Sequence, residues 1–367
     1  MHSIGDRVLE HIRQVCPTTR QRDIAADIGM PPDAFSRALN GKRAFSSIEL
    51  ARLADLLDAD IHWLITGQPD PHRLVVAARH DFNHLTGRRS VPERDADELV
   101  LRDIALAYRQ AYSEPQHGPA LPESVDGAGA DGVRVALGED FVRPFADRLE
   151  SRFGVDVVRI ADLSTAYSFT IGGRHVIALS ATGNWFWENW SMAHELGHLV
   201  WGHHDQGFSA AERDQREAAA NAFAAELLLP RESLAVIDWD RYEAAGLADL
   251  VWRWGVSTDA LARRLHALNG YVPDVVREWA GQPTQRLLRR HRAPNSGKDE
   301  ITLRMDAAAQ RRFPLTLQEA HLKGIEAGTL GKGTLAWMLG IDPDALDVDI
   351  PAVPEVTIDD LARALDL

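Results

Sequence analysis

Residues 194–204 read HELGHLVWGHH, and residues 217–230 read EAAANAFAAELLLP. Both stretches fall in helical patterns, over about 187–203 and 210–229, the second stopped by Pro230. On a helix, positions i and i+4 lie one turn apart on one face, so His194 and His198 can reach a single ion. Glu195 directly follows the first imidazole and is placed to act as general base on a water at that ion. Zinc lowers the pKa of such a water to about 7, which yields a nucleophile at neutral pH. Met192, Ala193, Leu196, Leu199 and Val200 would bury this helix. Two histidines on a buried helix need a polar task.

A catalytic zinc also needs a third protein ligand. His204 stands ten residues after His194, the spacing of the last histidine in H-E-x-x-H-x-x-G-x-x-H. That pattern wants its turn glycine at 201, where this chain has Trp201; its glycine is Gly202, and no methionine occurs between Met192 and Met305. His203 and His204 also read as solvated groups at a helix end, where cations suit the dipole. Glu217 is the other candidate. Asn221, Ala224 and Leu228 continue its face, so its carboxylate sits among small and apolar residues, where a lone charge is costly. Glu226 lies about 180° away at 3.6 residues per turn and should point outward. Asn221, one turn on from Glu217, is placed to orient a ligand.

Composition narrows the chemistry. The chain has 367 residues, 40 Lys+Arg against 54 Asp+Glu, a net charge of −14, and 15 histidines. Its single cysteine, Cys16, excludes a disulfide framework and Cys-rich zinc modules, so any metal must be held by imidazole and carboxylate. Acidity argues against unspecific coating of nucleic acid. Residues 1–43 nevertheless carry seven Arg/Lys against five acids, a net +2. MHSIGDRVLEHIRQVC (1–16) carries early charges and does not read as a signal peptide. No apolar run approaches the roughly 20 residues that span a bilayer. The expectation is a cytoplasmic protein with no membrane partner.

The pattern along the chain is α+β and mostly helical. Residues 1–69 read as about five short helices, with apolar stripes such as Ile4, Val8 and Ile12, punctuated by Gly29, Pro31–Pro32 and Asn40–Gly41. Residues 70–135 read as a connector containing a helix over about 93–112 and a Pro/Gly-rich linker, SEPQHGPALPESVDGAGADG (113–132). Residues 136–292 form the core: a helix over about Glu139–Arg152, then β-like runs at Val155–Ile160, Tyr167–Ile171 and Arg174–Leu179, with Gly172–Gly173 as a hairpin signal. Residues 293–367 read as a helical extension of unassigned role.

Together, the two stretches resemble the ImmA/IrrE family of zinc-dependent peptidases. The family pattern is H-E-x-x-H on one helix and E-x-x-x-N/D-x-F-A-x-x-L-L-x-P on the next, matched here by Glu217, Asn221, Phe223, Ala224, Leu227, Leu228 and Pro230. The resemblance covers roughly residues 136–270. It implies a zincin-like core, Zn2+ as cofactor, His194, His198 and Glu217 as ligands, and Glu195 as base. It also implies a protein substrate of regulatory type, such as a repressor or antitoxin, in a stress, mobile-element or toxin–antitoxin setting. The alternative is a transcription regulator whose peptidase-like domain senses a ligand or partner without cleaving.

The N-terminal residues are similar to the Xre/Cro-type helix-turn-helix, which implies DNA binding. In that motif the second helix enters the major groove and the first crosses the backbone. Pro32, Asp33, Ser36 and Arg37 would face bases, while Arg22, Lys42 and Arg43 suit phosphates. A homodimer would add affinity.

Two further readings concern the substrate. Trp185, Trp187 and Trp190 cluster before the metal helix, and Trp185 and Trp187 read either as core or as a cleft rim. The strand around His175 and Val176 would be the cleft edge, to which a peptide adds as a strand. The oxyanion needs a donor beyond zinc; Tyr167, Arg174 and His175 are the nearby choices.

Overall fold

The computed structural model describes residues 3–57, 59–68, 76–78, 81–83, 88–90, 94–112, 121, 129–204, 210–292 and 299–348. The N-terminal part is five helices: α1 (Ile4–Val15), α2 (Gln21–Asp27), α3 (Pro32–Leu39), α4 (Ser47–Leu57) and α5 (Ile61–Thr66). They close around their own core, which includes Val8, Ile24, Phe35, Leu53 and Leu64. Gly5 is where α1 meets the end of α3. A Cβ there would stand 2.3 Å from the Leu39 carbonyl oxygen, so only glycine permits this approach. Arg7 is buried and donates to the carbonyls of Leu64 and Ile65, two acceptors that the end of α5 leaves without helical partners.

Three short strands follow, β1 (Val76–Ala78), β2 (Asp81–Asn83) and β3 (Arg88–Ser90), and then α6 (Arg94–Ala111) and α7 (Ala130–Leu137). Most of the expected linker 113–132 lies outside the described residues; its last three residues open α7. The helix expected over 139–152 is shorter than its periodicity suggested. Residues 139–144 form turns, α8 spans Phe145–Arg148, and a π-helical turn covers Leu149–Phe153. β4 (Val155–Ile160), β5 (Tyr167–Ile171) and β6 (Arg174–Ser180) come next. Gly172 and Gly173 join β5 to β6 with φ of 54° and 80°, both left-handed, as a two-residue type I′ hairpin turn requires.

The larger sheet has the order β1-β5-β6-β4, with β4 parallel to β6 and the other pairs antiparallel. Side chains alternate across it. Val155, Val157, Ile177 and Leu179 join one hydrophobic core, while Val158, Ile160, Tyr167, Phe169, Ile171, Val176 and Ala178 join another. The first core is shared with α9 (Trp185–Val200), which is buried along almost its whole length, and α10 (Ala210–Leu228). Behind these pack α11 (Arg231–Ala235), α12 (Ala244–Trp254), α13 (Thr258–Asn269), α14 (Asp274–Trp279) and α15 (Thr284–His291).

Beyond the boundary expected at 292/293, α16 (Glu300–Ala309) places Ile301 and Ala308 in the first core, against α9, while α17 (Leu315–Glu326) and α18 (Lys332–Leu339) join α6 in covering the opposite face of the sheet. Phe313, Leu317, Ile325, Leu335 and Met338 share a core with Leu101 and Ile104 of α6 and with the sheet's outer residues. Arg312 extends β4 by exchanging two backbone hydrogen bonds with Arg159, each 2.8 Å. Of the segment set apart as an extension, residues 299–348 pack against both faces of the same sheet-centred body. No helix among the described residues is long and apolar enough to cross a membrane.

Candidate metal centre

Gly197 sets the distance between α9 and α10. A Cβ there would meet Phe223 Cδ1 at 3.1 Å and Ala220 Cα at 3.3 Å. The bare backbone lets α10 come close enough for Glu217 to reach the histidines of α9. Glu217 Oε2 lies 3.5 Å from His194 Nε2, and its Oε1 lies 3.6 Å from His198 Nε2. The two Nε2 atoms are 3.2 Å apart. One ligand atom from each residue falls within 4.8 Å of the others, and all three residues are buried. Two imidazole nitrogens and one carboxylate are a donor set of the kind zinc takes in hydrolytic sites. The i, i+4 spacing on α9 and the first residue of the Glu217 face on α10 meet at one point, as the sequence pattern implied.

The histidine tautomers follow from the hydrogen bonds. His198 Nδ1 lies 3.0 Å from His203 Nδ1. If His198 Nε2 is to offer its lone pair, its proton sits on Nδ1 and is donated to His203, which fixes the ring as an outer partner does in metal sites.

Glu195 points to the sheet. Ser168 Oγ, fully buried on β5, donates to Glu195 Oε2 at 2.7 Å. His204 Nε2 lies 3.2 Å from the same Oγ. A hydroxyl has one proton; with that proton given to Glu195, Ser168 accepts from a His204 protonated on Nε2. Burial, then repulsion from His198, lowers the His204 pKa to about 3, so the ring is neutral. His204 is thus not a solvated cation at the helix end; it lies outside the His–His–Glu group, two hydrogen bonds from Glu195.

Glu226, expected to point away from the Glu217 face, pairs with Arg264. Other expected site residues sit elsewhere. Asn221 turns its amide back to the Glu217 carbonyl at 2.9 Å, an intrahelical bond rather than a ligand contact. Trp185 is packed in the core against Phe186 and Trp252. At about 1.5 Å rise per residue, it and Trp187 stand at the other end of α9 from the ligands. Trp187 faces a different cavity, with Trp190 and Arg263. Val176 is buried on the outer face of the sheet. His175, its neighbour, is on the inner face and bonds Thr170 Oγ1 at 2.9 Å. The strand that carries them is no edge: β6 lies between β5 and β4 and has no open side for a peptide.

The same alternation sorts the oxyanion candidates. Tyr167 points outward and donates to Asp97 at 2.5 Å. Arg174 forms a two-bond pair with Asp156, both bonds 3.0 Å, and lies over the Tyr112 ring. Of the three, His175 is the one on the side of α9. Sequence reasoning missed Ser168 and His203. The signal for Ser168 was there in Tyr-Ser-Phe-Thr-Ile: large residues alternate with small polar ones, so one strand face must serve something other than a core.

Residues 150–266 match the family model Peptidase_M78, the IrrE N-terminal-like domain. The IrrE-like segment thus holds β4–β6, α9, α10 and α13 up to His266, and with them every residue of the His–His–Glu group. The segment is metallopeptidase-like. No curated protein and no solved structure matches the chain.

In the five-helix part, Arg22, Pro32, Asp33, Ser36, Arg37 and Lys42 are exposed. Residues 28–31 join α2 to α3. Arg43 departs from the expected phosphate role, since Glu49 takes its guanidinium in a two-bond pair of 2.8 and 3.1 Å.

Proposed function

We propose that this chain is a zinc metallopeptidase that cuts one peptide bond in a specific regulatory protein, a repressor or antitoxin, under a stress, mobile-element or toxin–antitoxin signal. The observation that carries the reading is the buried meeting of His194, His198 and Glu217 beside a Glu195 already held in place by Ser168. When bound, zinc supplies a Lewis acid that polarises the carbonyl and makes water acidic enough to attack at neutral pH. Glu195 takes the proton of the attacking water and returns it to the leaving amine. Ser168 holds one carboxylate oxygen so that the other can face the reacting atoms. His175, on the inner face of the sheet, is the side chain we assign to the developing oxyanion.

The five-helix part we assign to DNA. Its exposed α3 residues, Asp33, Ser36 and Arg37, would read bases, and Arg22 and Lys42 would hold phosphates. A homodimer would present two such faces to two half-sites, which compensates for the modest positive charge of one.

The test is a cleavage assay against the protein products of adjacent reading frames, with metal content measured in parallel. Glu195→Gln should retain zinc and lose cleavage. A purified chain that holds no zinc, and takes it up no better than His194→Ala does, would refute the reading.

A further inference from the structure

A second cavity lies away from the metal ligands, between α8, the first half of α9 and α16. Its volume is about 340 Å3, inside the roughly 300–1,000 Å3 range of small-molecule sites. Its walls hold five arginines, Arg143, Arg159, Arg304, Arg311 and Arg312, against two carboxylates, Asp147 and Glu188. Three of the five are committed. Arg159 pairs with Glu188. Arg312 pairs with Glu150 at 2.6 Å and Asp147 at 3.0 Å. Arg311 reaches Asp162 at 3.6 Å and donates to the Trp337 carbonyl at 2.7 Å.

Arg143 and Arg304 make no ion pair among the described residues. Arg304 is the more telling. Its guanidinium stands 4.1 Å from the Trp252 ring centre and 4.5 Å from that of Trp185, and its Nη1 is buried with no acceptor. Indole faces offset a cation's charge but give its N–H groups no oxygen. Burial, and then the charge of Arg143, lowers the Arg304 pKa to about 10. Glu300, exposed on the same helix, opposes that shift without forming an ion pair, so two like charges are gathered at one cavity and repel each other.

We propose that this cavity binds a small phosphoryl-bearing ligand through Arg143 and Arg304. Two guanidinium charges match the roughly −1.5 to −2 of a phosphate monoester, and the guanidinium fork fits phosphate oxygens in pairs. A monocarboxylate would leave one charge unmatched. The site draws on Arg143 before the IrrE-like segment, on α9 within it and on Arg304 after it, so its ligand would tie three parts of the chain together. Met192, two residues before His194, is part of its wall. The site stands whether or not the metal centre cleaves peptides.

The experiment is calorimetric titration of the full, zinc-loaded chain with inorganic phosphate, at constant ionic strength, with acetate as the second arm. Saturable one-to-one phosphate binding is expected, weakened at least tenfold in Arg143→Gln and in Arg304→Lys, and unchanged in Lys323→Gln on the exposed side of α17. Arg143 is exposed, so its variant folds even if changes at Arg304 disturb the two tryptophans. The proposal is overturned if phosphate fails to saturate, if Arg143→Gln binds phosphate as tightly as the parent chain, which would place the anion on the zinc, or if acetate binds as well as phosphate.

Discussion

Ser168 Oγ stands 2.7 Å from Glu195 Oε2 and 3.2 Å from His204 Nε2, so one buried hydroxyl joins the base of α9 to a neutral imidazole just past its end. The bond orients the Glu195 carboxylate through Oε2, and the proposed reaction depends on that orientation. Ser168→Ala should keep zinc and KM but lower kcat about 10- to 100-fold, the usual effect of losing an outer partner in a metal site. Steady-state kinetics with metal analysis checks this; an unchanged kcat would mean that Glu195 is held by other contacts.

Gly197→Ala should weaken the metal site without touching a ligand. The new Cβ would press on Phe223 and on the backbone of Ala220, and backbone yields less than a flexible side-chain tip. Overpacking of this kind costs about 1–3 kcal/mol. A lower Tm is expected, together with a reduced zinc affinity measured by competition with a chromophoric chelator. Full zinc affinity in a folded variant would show that the helices tolerate the spacing.

His321 predicts the acid behaviour of the outer layer. It is buried on α17, meets the Ala107 carbonyl through Nε2 at 2.8 Å, and burial lowers its pKa below the ordinary 6.5. The unfolded chain therefore binds a proton at a higher pH than the folded one. Stability contributed by the neutral ring is complete above about pH 6.5 and declines as the pH falls below it. His321→Gln keeps a donor for Ala107 but cannot titrate. Its unfolding free energy should fall less between pH 7 and pH 5 than that of the parent chain, as measured by denaturant titration.

Arg37 is exposed on α3, at the position expected to meet a base. Arg37→Ala should weaken a specific operator complex by about 1–3 kcal/mol and relax its sequence preference. Equal, salt-sensitive binding of any sequence by the parent chain would assign the five helices to another partner.

The meeting of His194, His198 and Glu217 was legible in part because helix geometry is local. His194 and His198 need only the i, i+4 rule, while the helix face left Glu217 beside His204 as a candidate and the family resemblance favoured it. The hairpin turn was legible for the same reason, since two adjacent glycines announce two left-handed residues. What failed was long-range. Whether β6 is an edge depends on β4, which lies on its far side, and nothing in Arg174–Ser180 encodes that neighbour. Trp185 is apolar enough for a core or a rim, and only Trp252, distant in sequence, decides for the core. His175 and Val176 are consecutive, so the pleat sends one to the metal side and the other away. Phe313, Leu317 and Leu335 read as one side of ordinary helices, and their partner is a sheet formed 150 residues earlier.

The outer layer also bears on how the gene should be cut. The family match ends at 266, and a domain-hunting experimentalist would clone 150–266. That trimmed product would carry the whole His–His–Glu group yet leave Val158, Ile160, Phe169, Ile171 and Val176 bare, because α6, α17 and α18 cover them only in the longer chain. It would also lose Arg312, whose guanidinium meets the Glu150 carboxylate. The trimmed version would expose that apolar face, and a piece that keeps the whole sheet and its cover has to run from β1, at residue 76, to 348.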